Sequence, residues 1–278
     1  MKTPRIDSHQ HFWKYDTQKH AWISDEMSIL KKDYFPADLK PCLEAIEFDG
    51  CVAVQADQSE DETKFLIALS ETDRFVRGVV GWVDFRAEDI EERLAYYKNY
   101  PVVKGFRHVV QDEPDDAFLL GDDFMRGIAL LEKYGYTYDI LILEKHLKVA
   151  EKFITAFPNQ PFVIDHIAKP NIKEKSIDTW KADMQAIAKH KNVYCKLSGM
   201  VTEADWSNWN DDDLIPYIDA TIETFGADRV MIGSDWPVCT LGGSYQRVMG
   251  VVMDRINLLS ETDQEAILGG NAIKFYNL

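Results

Sequence analysis

Short apolar segments that alternate with helix-forming segments along the whole chain constrain its fold more than any other feature. Segments such as Cys51–Ala56 and Gly78–Val83 are almost continuously apolar, as is typical of strands buried on both faces. The segments between them repeat apolar residues every three or four positions, as Ile90, Leu94 and Tyr97 do. Eight such strand–helix units in 278 residues predict an α/β fold, a (β/α)8 TIM barrel in a single domain covering residues 1–278.

The competing α/β fold for such a pattern is an open, doubly wound sheet that binds a dinucleotide. That fold places a Gly-x-Gly-x-x-Gly turn directly after its first strand. No such motif follows residues 5–13, which form the first predicted strand. The sequence therefore favours the barrel.

The charge of the chain limits the partners that it can have. The formal net charge is −16, and an acidic surface repels both nucleic acid and anionic membranes. No segment is apolar over the length needed to span a bilayer, and the cysteines form no Cys-x-x-Cys pair. We therefore expect a cytoplasmic protein with reduced thiols that binds neither nucleic acid nor membranes. The sequence leaves its oligomeric state open.

The first predicted strand carries the motif His9-Gln10-His11. Side chains two residues apart on a strand point to the same face, so the two imidazoles project side by side. Imidazole is the commonest metal ligand among side chains, and a pair of imidazoles is half of a typical site. The pair either binds a cation with ligands from other strands or hydrogen-bonds to its neighbours, and the motif alone leaves both interpretations open.

Polar and aromatic side chains follow most of the predicted strands. In a (β/α)8 barrel the carboxyl ends of the strands form the mouth where catalytic residues lie, so these side chains are candidates for one site. Each of them taken singly could also have a purely structural role, such as capping a loop. They are His9, His11, Gln55, Trp82, Asp84, Arg107, His108, Tyr138, Asp139, Asp165, His166, Lys196, Ser198, Asp235 and Trp236.

Three motifs in this order resemble the amidohydrolase superfamily. They are Asp-Ser-His-Gln-His-Phe-Trp at residues 7–13, Asp-His-Ile-Ala-Lys-Pro at residues 165–170 and Gly-Ser-Asp-Trp-Pro at residues 233–237. More narrowly, the chain is similar to the branch of sugar-acid lactonases that includes L-fuconolactonases and L-rhamnonolactonases. The resemblance covers essentially the whole chain. It implies a TIM-barrel hydrolase that opens a sugar-acid lactone to the aldonic acid.

The resemblance also implies roles for individual residues. It makes His9, His11, His166 and Asp235 the candidate metal ligands or catalytic partners, with Asp235 as the general base that takes a proton from the attacking water. Superfamily members with two metals carry a histidine at the end of strand five, whereas this chain has a tyrosine and an aspartate there. We therefore expect one divalent cation, zinc or a similar ion, and do not expect it to be essential.

Lactone hydrolysis also needs a positive group facing the carbonyl oxygen and side chains that hold the sugar. Arg107 and His108 are the candidates for the positive group. Aromatic faces pack against sugar rings and polar side chains bind hydroxyls, although any one of the tryptophans is as readily an ordinary core residue. Trp22 lies in the long loop of residues 14–35, the type of loop that forms a wall over a site. The candidate substrate-binding residues are Trp22, Gln55, Trp82, Asp84, Tyr138, Lys196 and Trp236.

Two other functions fit the same residues. A metal-dependent decarboxylase of the same superfamily would use a similar set of histidines and aspartate, but it needs a cluster of cations for the substrate carboxylate. Only Arg107 and Lys196 are obvious candidates for such a cluster. A non-catalytic sugar-binding barrel is the third possibility, although a complete base and ligand set would be surplus to binding. The sequence leaves open which sugar lactone is the substrate.

Overall fold

Parallel strands in chain order form the centre of the computed structural model, which describes residues 2–278. Each strand pairs in parallel with the next one along the chain. The strands are β1 (Ile6–Gln10), β2 (Gly50–Val54), β3 (Val76–Gly81), β4 (Val103–Val109), β5 (Thr137–Leu141), β6 (Phe162–Ile164), β7 (Val193–Leu197) and β8 (Val230–Ile232).

Helices lie between the strands and after β8. They are α1 (Pro36–Ala45), α2 (Glu60–Thr72), α3 (Ile90–Tyr97), α4 (Asp122–Ile128), α5 (Leu131–Tyr134), α6 (Leu147–Ala156), α7 (Asp178–Ile187), α8 (Asp211–Phe225), α9 (Tyr245–Ile256), α10 (Glu261–Glu265) and α11 (Asn271–Tyr276). Within residues 2–278, no helix combines the length and the apolar character needed to cross a membrane.

Contacts between β1 and the end of β8 bring the two edges of the sheet together. The Ser8 hydroxyl donates to the Ile232 carbonyl at 2.7 Å. Further along, the Asp235 amide donates to the His9 carbonyl at 2.8 Å, and the His11 amide donates to the Trp236 carbonyl at 2.7 Å. The predicted (β/α)8 barrel is therefore confirmed, and its closure brings the first and eighth strands to the same point.

The last helix, α11, was not predicted by the sequence pattern, because Gly269 and Gly270 suggest the end of a helix rather than its continuation. In the structure, residues 266–270 form one π-helical turn, so the chain stays helical through both glycines and into α11. Phe275 and Tyr276 of α11 pack with Ile6 and other inward-facing strand residues. The helix therefore covers the end of the barrel where the strands begin.

The apolar pattern of the sequence predicts strands over residues 162–166 and 230–235, whereas β6 and β8 end earlier, at Ile164 and Ile232. His166 has φ 52° and Asp235 has φ 58°, and a strand cannot accommodate a left-handed residue. The pattern of residues 123–134 also predicts one helix, but the structure has two helices there, α4 and α5. The early strand ends matter for function because they set the direction of both side chains.

We predict that Gly269→Ala destabilises the fold. A β-carbon at this position would lie 1.9 Å from the Pro4 carbonyl oxygen, and a backbone atom cannot move away as a flexible side chain can. We expect the free energy of unfolding to fall by about 1–3 kcal/mol, as for other overpacked positions, in urea denaturation. Gly250→Ala in α9 is the control, because a β-carbon there meets nothing within 4 Å. Equal stabilities of the two variants would contradict the prediction.

Candidate active site

The imidazoles of His9 and His11 meet inside the mouth of the barrel. Both side chains are buried, and their Nε2 atoms are 3.2 Å apart. Nδ1 of His11 is 2.8 Å from the Val54 carbonyl oxygen. Because a carbonyl can only accept, Nδ1 carries the proton, and the lone pair of a neutral His11 is on Nε2.

The carboxylate of Asp235 faces this histidine pair. Its Oδ1 is 3.2 Å from Nε2 of His11 and 4.0 Å from Nε2 of His9. Burial alone would raise the pKa of Asp235, but His166 and His11 outweigh burial and hold the pKa below its ordinary value. The carboxylate is therefore ionised at neutral pH.

The backbone that carries Asp235 is held by Asp7, which lies at the start of the first-strand motif. The carboxylate of Asp7 accepts hydrogen bonds from the Ser234 amide at 2.9 Å, the Ser234 hydroxyl at 2.6 Å and the Tyr245 hydroxyl at 3.1 Å. Its side chain therefore turns away from the two histidines, and a shift in strand register between Asp7 and Gln10 accompanies this change of direction. The motifs of the first and eighth strands thus bind each other directly.

His166 reaches the same point from a left-handed turn after β6. Residues 166–169 all have φ between 49° and 61°, and the Trp180 indole donates to the Ile167 carbonyl at 2.7 Å. Nδ1 of His166 is 2.9 Å from the Ser198 hydroxyl, and its Nε2 is 3.8 Å from Oδ1 of Asp235. A β-carbon on the next residue, Gly199, would lie 2.4 Å from the His166 ring, so only glycine leaves room for the imidazole.

Three of these side chains, His9, His11 and Asp235, offer ligand atoms that all lie within 4.8 Å of one another and so fit a single divalent cation. His166 lies next to them, with its Nε2 3.8 Å from Oδ1 of Asp235. Ligand atoms about 2.0–2.2 Å from one tetrahedral ion lie roughly 3.3–3.6 Å from one another, and the contacts of Asp235 Oδ1 with the imidazole nitrogens span 3.2–4.0 Å. Nε2 of a neutral His11 and Oδ1 of Asp235 are both acceptors, so their approach is unfavourable unless a proton or a cation lies between them. Mixed nitrogen and oxygen ligands of this kind suit zinc and similar ions.

A network of buried charges lies directly beneath this group. Lys196 pairs with Asp139 at 2.5 Å and with Asp165 at 2.9 Å, and Arg107 pairs with Asp165 at 3.1 Å. Burial would raise the pKa of Asp165, but Lys196 and the other neighbouring positive charges hold it well below its ordinary value. The end of strand five therefore contributes an ion pair to the barrel interior.

Arg107 connects this network to the cavity above it. Its guanidinium donates to the backbone oxygen and the side-chain oxygen of Gln55 at 2.5 and 3.1 Å, and one of its nitrogens is 3.2 Å from Nε2 of His9. These contacts fix the guanidinium on one side while it also lines the cavity. It can therefore present positive charge to a bound carbonyl group.

The cavity has a volume of about 430 Å³, which suits a small molecule. Five of the predicted residues line the cavity: His11, Trp22, Arg107, His166 and Asp235. Three others lie beneath it, in contact with Arg107 or Asp165: His9, Gln55 and Lys196. The walls come mostly from loops, with Val109 and Leu141 at the ends of β4 and β5. They include Lys19, Met27, Ala56, Asp57, Gln58, Val109, Gln111, Asp112, Leu141, Lys169, Thr202, Glu203, Trp206, Val238 and Leu241.

Five more of the predicted side chains lie outside the cavity. They are Trp82, Asp84, His108, Tyr138 and Trp236. Consecutive residues of a strand point to opposite faces, so His108 points away from the barrel interior that Arg107 occupies. Asp84 instead bonds to Arg86 at 3.1 Å, and the Trp236 ring packs edge-on against Tyr34.

His108 and Tyr138 are held by the layer between strands and helices. Nε2 of His108 is 2.7 Å from a Glu113 carboxylate oxygen, and the Trp82 indole donates to its Nδ1 at 3.3 Å. The Tyr138 ring packs in an aromatic cluster with neighbours such as Phe85. The predicted role of these residues in catalysis or substrate binding stays a prediction, and any such role would act through the residues that they pack against.

The wall residues that were not predicted from the sequence include Lys169, Glu203 and Trp206. Lys169 belongs to the motif of residues 165–170, so its position in that motif could have marked it as a site residue. Glu203 and Trp206 lie in the loop after β7, where no spacing rule marks them. Loop conformation brings them to the site, and a single sequence does not specify it.

Comparison with known proteins places the chain in a family. The amidohydrolase family model matches residues 6–278, so the chain belongs to the amidohydrolase family. The L-fucono-1,5-lactonase of Burkholderia multivorans is 39% identical over 100% of this chain and 97% of its own length. The L-fucono-1,5-lactonase of Burkholderia ambifaria is 33% identical over 99% of this chain and 96% of its own length.

A solved structure supports the same assignment. The crystal structure of an amidohydrolase from Burkholderia multivorans with bound zinc is 40% identical, covers 99% of both chains and has a TM-score of 0.95. The resemblance to the amidohydrolase superfamily inferred from three motifs is therefore confirmed. The chain is a hydrolase of this family.

Glu62 supports one wall of the cavity from behind. It lies in the first turn of α2, and its carboxylate accepts a hydrogen bond from the amide of Ala56, a cavity residue, at 3.2 Å. Burial raises the pKa of Glu62 from 4.5 to about 7. The folded protein therefore holds a proton here over a pH range in which the unfolded chain has lost it.

This proton makes stability depend on pH, and we predict the sign. The folded state binds more protons than the unfolded state between about pH 4.5 and 7, so the free energy of unfolding falls as the pH rises through that range. Glu62→Gln cannot ionise. Its free energy of unfolding relative to that of the unmodified protein should therefore rise by roughly 2 kcal/mol from pH 5 to pH 8. Urea denaturation at both pH values measures this, with the exposed Glu71→Gln of α2 as the control. A gain equal to that of the control would refute it.

Proposed function

We propose that this protein hydrolyses a sugar-acid lactone, with L-fucono-1,5-lactone as the first candidate, to the aldonic acid. One observation carries the proposal: Asp235 and Arg107 line the same cavity, so an ionised base and a positive group both border the space where an ester would lie. The identity of 39% with an L-fucono-1,5-lactonase over the whole chain supports the choice of substrate. We expect the reaction in the cytoplasm, without nucleic acid or membrane partners.

Asp235 is the proposed general base. Its Oδ1 faces the imidazoles, which leaves Oδ2 to accept a proton from water as the water oxygen bonds to the lactone carbonyl carbon. The carbonyl oxygen gains negative charge in this step, and the Arg107 guanidinium stabilises it. When the ring C–O bond breaks, the proton on Asp235 passes to the leaving oxygen, and the new carboxylic acid ionises into solvent.

His9, His11, His166 and Asp235 are the residues that would hold a divalent cation. Such a cation supplies Lewis-acid polarisation of a carbonyl oxygen and a lower pKa for bound water. The zinc in the 40% identical amidohydrolase supports zinc as the first candidate. The imidazoles also have a role of their own, because they hold Asp235 in its orientation.

We predict that Asp235→Asn lowers kcat for the lactone by roughly 10²–10⁴, the usual contribution of a positioned general base. The amide keeps the shape of the side chain but cannot accept the proton. Lactone opening is followed by the fall in pH in weak buffer, with the exposed Asp254→Asn as the control. If the Asp235 variant stays within a few-fold of the control, the base lies elsewhere. Release of CO₂ from an unsaturated acid would instead favour the decarboxylase.

We also predict at most one divalent ion per chain and measurable lactonase activity after chelation. Lactones are activated esters, so a water that Asp235 deprotonates and a carbonyl that Arg107 polarises need less Lewis-acid help than an amide would. Metal content by elemental analysis, before and after chelation, is compared with activity in the same samples. Two ions in anomalous scattering, or complete loss of activity that zinc restores, would contradict the prediction.

A further inference from the structure

Two charged side chains of the cavity wall, Lys169 and Glu203, have no part in the mechanism above. Lys169 lies three residues after His166, and Glu203 lies in the loop after β7. Both line the cavity that contains Asp235. Nζ of Lys169 is 3.6 Å from Oε1 of Glu203, and the two side chains are 18% and 23% exposed. They form a loose, mostly buried pair beside the proposed reaction centre.

The backbone turn that carries Lys169 is one that most residues avoid. Residues 166–169 are all left-handed, with φ between 49° and 61°, and this conformation is unfavourable for residues other than glycine. The Lys169 amide donates to the His166 carbonyl at 2.8 Å. Residues three apart in such a tight turn lie on the same side. The turn therefore sends Lys169 and His166 into one cavity.

The pair keeps unused hydrogen-bonding capacity. Over residues 2–278, the Lys169 ammonium donates no hydrogen bond, since 3.6 Å is too long for one. Oε1 of Glu203 accepts only from the Thr202 hydroxyl, at 3.3 Å, across the same described residues. Lys196, which lies beneath the cavity, instead pairs with Asp139 and Asp165 at 2.5 and 2.9 Å. Lys169 and Glu203 are thus free to bind a ligand in the cavity.

Trp206 lies three residues after Glu203 and lines the same cavity. Its indole donates to the Thr202 carbonyl at 2.9 Å, which fixes the ring against its own loop. An aromatic face packs well on the C–H bonds of a sugar ring. The loops after β6 and β7 therefore combine a donor, an acceptor and an aromatic surface, which is the set of groups that a polyhydroxylated ring requires.

We propose that Lys169 and Glu203 select the sugar by binding two neighbouring hydroxyl groups of the lactone ring, with Trp206 packed against the ring. This inference rests on the proposed function and names the residues that set its specificity. An ammonium group only donates and a carboxylate only accepts, so the pair matches one arrangement of two hydroxyls. A lactone with one of these hydroxyls inverted leaves a buried polar group unpaired, which binding sites discriminate against strongly.

The test compares Lys169→Met and Glu203→Met with Lys173→Met and Glu174→Met, controls of the same chemistry that are exposed and outside the cavity. Calorimetry measures the Kd of L-fucono-1,5-lactam, an analogue that is not hydrolysed, and kcat is measured with the lactone. We expect each cavity variant to raise Kd by about 10–100-fold, as for the loss of a hydrogen bond to a charged group, and to keep kcat within a few-fold. Lys169→Gly, whose backbone tolerates the left-handed turn, should raise Kd equally.

Each other result has a definite meaning. If the unmodified protein hydrolyses the lactone and the cavity variants bind the lactam as tightly as the controls, the inference is wrong and the proposed function stands. A fall in kcat with unchanged Kd also overturns it, because Lys169 or Glu203 would then act on the reacting ester. If the unmodified protein neither hydrolyses the lactone nor binds the lactam, the proposed function fails and this inference fails with it.

Discussion

The paired charges inside the barrel are the interaction on which the rest of the site depends. Lys196 contacts the carboxylates of Asp139 and Asp165, and Arg107 contacts Asp165 from the other side. Two positive and two negative groups therefore balance where water does not reach, and removal of one would leave a buried charge uncompensated. His9 lies against Lys196 and Asp165 at 3.1 and 3.3 Å. The network thus sets the orientation of His9.

Above this network, the structure concentrates unfavourable backbone conformations where β6 and β8 end. His166 and Asp235 are both left-handed, and each is held by hydrogen bonds from outside its own loop. Trp180 anchors the turn after β6, and Asp7 anchors the turn after β8. Strained residues persist only where their surroundings determine them fully. The surroundings here direct an imidazole and a carboxylate toward one point.

The sequence predicted the barrel and the meeting of His9, His11, His166 and Asp235, because strand period and the alignment of parallel strand ends are local properties that a single chain displays. It did not predict which of two adjacent strand residues faces inward. Arg107 faces the barrel interior and His108 does not. Alternation gives the period of a strand but not which of two adjacent residues faces inward. The loop residues of the cavity wall depend on contacts between distant segments, so no local pattern identifies them.

Helix α11 has a consequence for the order in which the protein can assemble. The Tyr276 hydroxyl donates to Asp139 at 2.8 Å, so a residue that follows all the strands supplies a hydrogen bond to a carboxylate in the middle of the barrel. During synthesis, the strands leave the ribosome before α11 does. Until α11 docks, the end of the barrel that it covers lacks the packing of Phe275 and Tyr276, and Asp139 lacks the hydrogen bond from Tyr276. The strands alone therefore do not finish the floor of the site, which needs a helix that follows them in the chain.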